Sequence, residues 1–340
     1  MKFNKIDKII LIAGSFLLSE LVKSLPKDAK SKIVVFSAKR YLDEKVPNIS
    51  LKKVLIKNKV KFYQTADINT DQKFKREITK NTLGIAMGSW EFDKKTAKLF
   101  AKNHLLDFMS IDLPRYKGGA HHSWRILHQN RVGCINMQLI HGGAETFQKG
   151  EVIKRTEFDF PKKLMKPIEL YNFSLKQEVE FMKNFLQEVN QRKSFKPLKL
   201  NEDQSSCYPF LYTRSHGLID WRLSGEAIYL FINAFDEPYA GASTYLGDKK
   251  VYLKDCALFS PQEKYHPFTS GIVIRKNKKG LFVCSVGSLL RIKKVLDEKG
   301  KSLIDSVKPG DRFYTLQDKL DQAMTFKAVY DAQGLRGGKK

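Results

Sequence analysis

The residues LLDFM at 105–109 run directly into SIDLPRYKGG at 110–119, and this junction narrows the possible folds more than any other stretch. The short apolar run reads as a buried strand. Pro114 forbids a helix in the loop that follows, and the Gly118-Gly119 pair permits backbone angles that other residues avoid. Polar and aromatic groups crowd the neighbourhood: Asp107, Asp112, Arg115, Tyr116, His121, His122 and Trp124. A strand end that opens into a Gly/Pro loop rich in titratable groups is where open α/β sheets place their chemistry.

The preceding chain agrees with such a sheet. An apolar run at 8–13 ends at Gly14, a helical pattern covers 16–25, and IVVF at 33–36 is a second run. This is the β-α-β opening of a doubly wound sheet. Further runs at 60–63, 83–87 and 133–140 read as strands, with helices expected over 50–58, 73–80, 94–102 and from Ser123. The clearest helix is expected over 171–193, where Leu175, Val179, Met182, Leu186 and Val189 recur at helical spacing and Ser174 with Gln177 forms a capping box. Residues 195–207 are polar and irregular and read as a linker. Beyond them a helix over 224–234 is followed by several short strands with glycine turns, the signature of a small barrel-like β domain.

Several chemistries are excluded by pattern. GxGxxG, Walker and GxSxG motifs are absent. Cys134, Cys207, Cys256 and Cys284 are scattered, without a CxxC pair, so neither a zinc site nor a disulfide framework is expected. His121, His122, His128 and His141 lack HExxH spacing, and no metal is expected. No run reaches the ~18 apolar residues of a membrane helix. The start, MKFNKIDKIILIAGSFLLSEL, reads as a first strand and helix rather than a leader, so a cytoplasmic protein is expected. Lys and Arg number 61 against 36 Asp and Glu, a formal charge of +25. That excess favours polyanionic partners, nucleic acid among them; a Lys-rich soluble surface accounts for it equally well.

LPRYKGG resembles the LPxYRG loop of the folate-dependent formyltransferases, the family of methionyl-tRNA formyltransferase and the sugar N-formyltransferases. The resemblance continues through SWRIL, CINMQLI and GEVI, and again at IDW and INAFDEPYAGAST far downstream. It implies α/β architecture: a Rossmann-like formyltransferase domain at 1–194, a linker at 195–207, a small open β-barrel (OB-like) C-terminal domain at 208–330, and a basic tail at 331–340. It implies formyl transfer from 10-formyltetrahydrofolate, as co-substrate, to a primary amine on tRNA or on an amino-sugar nucleotide. The tRNA acceptor would place the protein in protein biosynthesis.

In the family an Asn-x-His on the strand before the loop, and an Asp after the next strand, stabilise the oxyanion and move the proton. Counting from LPRY and GEVI puts Asp107, Met109 and Gln148 at those positions, and methionine neither donates a hydrogen bond nor carries a proton. Either the site is rebuilt or the chain is an inactive binding relative. In the rebuilt site Asp107 accepts the amine proton and His121 or His122 supplies the oxyanion donor, with Glu145 the carboxylate between the strand and Gly150. The resemblance implies a cofactor pocket from Met87, Gly88, Ser89, Trp90, Met109, Arg115, Tyr116, Gly142 and Gly143.

Overall fold

The computed structural model describes residues 1–45, 48–143, 148–259 and 265–339. Its larger sheet has seven strands in the order Lys61–Gln64, Ile33–Ser37, Lys8–Ile12, Thr82–Met87, Leu105–Met109, Val132–Leu139 and Val152–Asp159. The first five are mutually parallel and the last two run antiparallel to their neighbours. Ile33–Ser37, Thr82–Met87 and Leu105–Met109 are buried along their whole length. Parallel strands covered on both faces require this. Alternation sorts the side chains. Leu11, Val35, Ile85 and Leu106 share a core with Leu18 and Leu21 of helix Ser15–Ser24 and with Phe181 and Phe185 of helix Pro167–Asn190. Ile10, Ile12, Val34 and Phe36 pack with Phe74 and Phe100 on the other face.

The second sheet is antiparallel, in the order Val273–Asn277, Gly280–Ser285, Ser288–Leu296, Lys249–Phe259, Ala242–Leu246 and Phe313–Tyr314. Its edges meet: Ile272 bridges Arg312, and Phe313 N donates to Gly271 O at 2.9 Å. The sheet therefore curls onto itself, around Val251, Leu253, Val283, Leu290 and Ile292, which pack with Ile228 and Ile232 of helix Gly225–Ala234.

Three expectations change. The long helix starts at Pro167, where the Glu169 carboxylate accepts from the backbone of Met165 and Lys166 at 2.8 and 3.1 Å, so Ser174 lies inside the helix and not at its cap. The stretch 195–207 is tied down: Leu198 N donates to Val152 O at 2.8 Å, and Cys207–Tyr208 pairs in parallel with Lys117–Gly118. The end of the chain is a hairpin rather than a tail, because Gly334, with φ +119°, turns Gly334–Lys339 back on Lys327–Asp331. Arg40 donates to Ala332 O at 2.6 Å, and Gln333 donates to Ala66 O at 2.9 Å, anchoring the hairpin turn on the first sheet's domain. Among the described residues no helix is long and apolar enough to cross a membrane.

Candidate functional site

The chain order of the large sheet reverses between Lys8–Ile12 and Thr82–Met87. Open α/β sheets bind ligands beyond the carboxyl ends of their strands at such a reversal. A cavity of about 350 Å³ lies there, within the range of small-molecule sites. Met87, Gly88 and Ser89 form one wall; Asp107 and Met109, on the next strand, form another. His121 and His122 enter from the first turn of helix His121–Leu127.

The loop between them is held by its glycines. A Cβ on Gly118 would lie 1.8 Å from Tyr208 O, and one on Gly119 would lie 2.1 Å from the Phe210 ring. Only glycine lets the segment around Tyr208 lie this close, and Gly118 also takes φ +107°. Gln148 clamps the loop from the other side: its Oε1 accepts from Gly118 N at 2.7 Å and its Nε2 donates to Gly118 O at 3.3 Å. Gln148 also lines the cavity, so Asp107, Met109 and Gln148 converge on one space.

The cavity's polar groups are unusually bare. Asp107 is 7% exposed and its Oδ1 has no hydrogen-bond partner among the described residues. Burial pushes its carboxyl well above the ordinary carboxylate range. Nδ1 of His121 and Nδ1 of His122 are likewise buried without a partner. Burial, with Arg125 nearby, pulls both imidazoles down to about 3, so both are neutral near pH 7. His121 also hydrogen-bonds the Tyr116 backbone, and a ring N–H is what a carbonyl accepts. Nδ1 of that neutral ring is then an acceptor, not an oxyanion donor.

Trp90, Gly142 and Gly143 line a smaller adjoining void of about 30 Å³ that shares Asp107 and Gln148 with the main cavity. Trp90 Nε1 is buried there without a partner among the described residues. Arg115 and Tyr116 line neither space: Arg115 pairs with Asp112 at 2.8 Å, and Tyr116 stacks on Tyr208 with ring centroids 5.2 Å apart. Tyr116 takes φ +60° in this loop. Glu145 lies outside the described residues. Asp112, Cys134 and Glu157 form a compact group of metal-capable atoms. Arg155 already lies 2.8 Å from Asp112 and 2.7 Å from Glu157, and burial pushes the Cys134 thiol up to about 12, so the group is an ion-pair cluster.

Sequence reasoning missed Glu178, Tyr171 and Tyr239, all of which line the cavity. Glu178 is buried on the long helix. Burial raises its carboxyl, and hydrogen bonds from Ser110 and Ser174 oppose that shift. A signal existed: Ser174 and Glu178 are one helical turn apart, in a stripe otherwise made of Leu170, Phe181, Met182 and Phe185.

Comparisons with known proteins bear on the fold and its relatives. Residues 212–306 match the family described as formyl transferase, C-terminal domain. Methionyl-tRNA formyltransferase of Clostridium tetani is 21% identical over 248 residues, covering 72% of this chain and 76% of the relative. That of Acidobacterium capsulatum is 28% identical over 180 residues, covering 53% and 55%. The N-formyltransferase from Helicobacter canadensis, solved with folinic acid and dTDP-3-aminofucose, superposes with a TM-score of 0.61 at 16% identity, over 85% of this chain and 99% of that one. The fold is thus that of the formyltransferases: a Rossmann-like sheet followed by a separate curled antiparallel one. The chain is thus similar in sequence to methionyl-tRNA formyltransferases, with a formyl transferase C-terminal domain at 212–306, and similar in fold to a sugar N-formyltransferase.

Proposed function

We propose that this protein transfers a formyl group from 10-formyltetrahydrofolate to a primary amine, as methionyl-tRNA formyltransferase does. The observation that carries the reading is the convergence of Asp107, Met109 and Gln148, the three positions at which the family keeps its catalytic groups, on one cavity at the reversal of the sheet. The donor set suits a folate. Trp90 Nε1, buried and without a partner among the described residues, is a donor available to the polar edge of a pterin. Met87, Gly88, Ser89, Met109, Gly142 and Gly143 supply the surrounding backbone and apolar surface. Asp107 and His122 are the candidates for the missing oxyanion donor, and the Nδ1 of His121 is an acceptor beside them.

The curled second sheet is an open OB-like barrel in this reading, with domains at 1–194 and 208–330 and the protein in the cytoplasm. The formal charge of +25 favours a tRNA acceptor. An amino-sugar nucleotide is the second reading, because the Helicobacter canadensis relative, which covers 85% of this chain, was solved with dTDP-3-aminofucose. Calorimetry with a stable 10-formyltetrahydrofolate analogue tests the common part. Binding in the micromolar range is expected, followed by turnover with one acceptor class. A folded protein that ignores the analogue at millimolar concentration would instead be a basic binding protein on a formyltransferase scaffold.

A further inference from the structure

Asp107 and Glu178 reach the cavity from opposite sides of the sheet. Asp107 shares its side with Leu105, Trp90 and the Gly142–Gly143 turn, the side assigned above to the formyl carrier. Glu178 comes from the helix packed on the other side, where it takes hydrogen bonds from Ser110, one residue past the strand end, and from Ser174. Its neighbours around the cavity include His122 and Tyr171, whose rings meet edge to face with centroids 6.3 Å apart. Among the described residues no Lys or Arg lines the cavity; its other titratable groups are His121, His122, Tyr171 and Tyr239. Two buried carboxyls therefore share a space that holds no cation, and an amine acceptor arrives as an ammonium at neutral pH.

The two carboxyls differ in what supports a negative charge. The hydroxyls of Ser110 and Ser174 oppose the upward shift that burial gives Glu178, the Ser174 hydroxyl also donating to Tyr171 O at 3.1 Å, whereas the buried Oδ1 of Asp107 has no partner among the described residues. A neutral Asp presents an O–H with nearly the shape of the Asn amide that the family keeps at this position. We propose that Glu178 is the acceptor-side group that binds the ammonium and takes its proton, and that Asp107, as a neutral carboxyl, donates a hydrogen bond to the formyl oxygen. The proposal rests on the formyltransferase reading. Glu178 removes one proton from the ammonium and releases it to solvent through the open cavity. The freed nitrogen pair bonds to the formyl carbon while the carbonyl pair shifts to oxygen, held by Asp107. The pair returns as the bond to the carrier nitrogen breaks, and the second proton of the amine ends on that nitrogen. Burial raises both carboxyls, and only at Glu178 do hydroxyls oppose the shift; paired carboxyls whose environments differ in this way are a known means of dividing acid and base roles.

Infrared difference spectra of the whole protein near neutral pH test the assignment without any ligand. The carbonyl stretch of a protonated carboxyl is expected to vanish in Asp107→Asn and to persist in Glu178→Gln. Its absence from the wild type, or its loss in Glu178→Gln instead, overturns the proposal. With methionyl-tRNA and dTDP-3-aminofucose as acceptor probes, Glu178→Gln is expected to lower kcat/KM by about 100-fold, with binding of the folate analogue unchanged. Asp107→Asn keeps a donor and stays within about tenfold of wild type, whereas Asp107→Leu does not. Equal activity of Glu178→Gln and wild type also overturns it. A wild type that binds no folate analogue defeats the formyltransferase reading instead, and the infrared result distinguishes the two failures.

Discussion

Asp107 and Asp112 lie five positions apart on one continuous stretch, both are buried, and their surroundings are opposite. Asp112 has no exposed surface, yet Arg155 lies 2.8 Å from Oδ1 and Arg115 lies 2.8 Å from Oδ2. Arg155 also donates to Leu113 O at 2.6 Å, so the carboxylate and the backbone after it are fixed by one guanidinium. Asp107 meets no guanidinium, and its Oδ1 has no partner among the described residues. Burying an unpaired charge is costly enough that the group surrenders the charge instead. Asp112 thus shapes the loop, and Asp107 is held ready for something that is not protein. Local rules are broken at sites and kept in scaffolds, and here the boundary between the two falls within a single strand and its loop.

Removing the Asp112 carboxylate is expected to have the largest effect. Asp112→Ala leaves the Arg155 guanidinium, only 14% exposed, with the exposed Glu157 as its remaining carboxylate, and breaking a buried pair of this kind typically costs about 3–5 kcal/mol. Urea unfolding measures it, and a loss below about 1 kcal/mol would mean the clamp is not structural. The cavity histidines come next. Each residue keeps some surface, but its Nδ1 is buried. A histidine whose folded value falls from 6.5 to about 3 gives stability that is complete above 6.5 and is lost as the pH drops toward 3. His122→Phe, packed against Phe160 and Tyr171, is expected to be more stable than wild type at pH 5 by on the order of 1 kcal/mol. The difference vanishes at pH 8; a constant difference across that range would show that the ring is not kept neutral by burial.

Asp107→Asn has the opposite sign from Asp112→Ala. The folded carboxyl is raised, so its contribution is full below the ordinary value of 3.8 and declines as the pH rises through the folded value. The amide is therefore expected to stabilise the protein by roughly 1 kcal/mol at pH 8, with the gain shrinking toward pH 4. A destabilisation at pH 8 would place a native partner on Asp107 and end the contrast with Asp112.

Much of this was legible in the chain. LLDFM followed by LPRYKGG locates the strand, the loop and Asp107, because a β run, a proline and two glycines leave few local options. The fold class follows from the order of apolar runs. What escaped depends on tertiary contact. Of the stripe Leu175, Val179, Met182, Leu186 and Val189, Met182 and Val189 are buried in the core and the other three are half-buried against it. The face buried more deeply lies one residue over, at Leu170, Ser174, Glu178, Phe181 and Phe185. Apolar periodicity discounts a serine and a glutamate, so it passes over Glu178, where the helix meets the cavity. Nor does composition reveal that RGGK at 336–339 ends a hairpin, since the hairpin's anchors, Arg40 and Ala66, are nearly 300 positions away in the chain.

The smallest effect is expected at an ion pair of nearly the same length as the Asp112 clamp. Lys117 Nζ lies 2.9 Å from Glu202 Oε2 and joins the family loop to the segment before Cys207, but the Glu202 side chain is 64% exposed. Water and salt screen such a pair, and holding two long side chains in one geometry offsets most of the attraction. Glu202→Gln is expected to cost no more than about 0.5 kcal/mol, and nothing measurable at about 1 M salt. The loop does not depend on this pair, because Lys117 N donates to Ser206 O and Gly119 N donates to Tyr208 O whatever the side chain does. If Glu202→Gln cost as much as Asp112→Ala, separation rather than burial would set the worth of a carboxylate in this loop. The bare Asp107 would then need an explanation other than the low polarity of its surroundings.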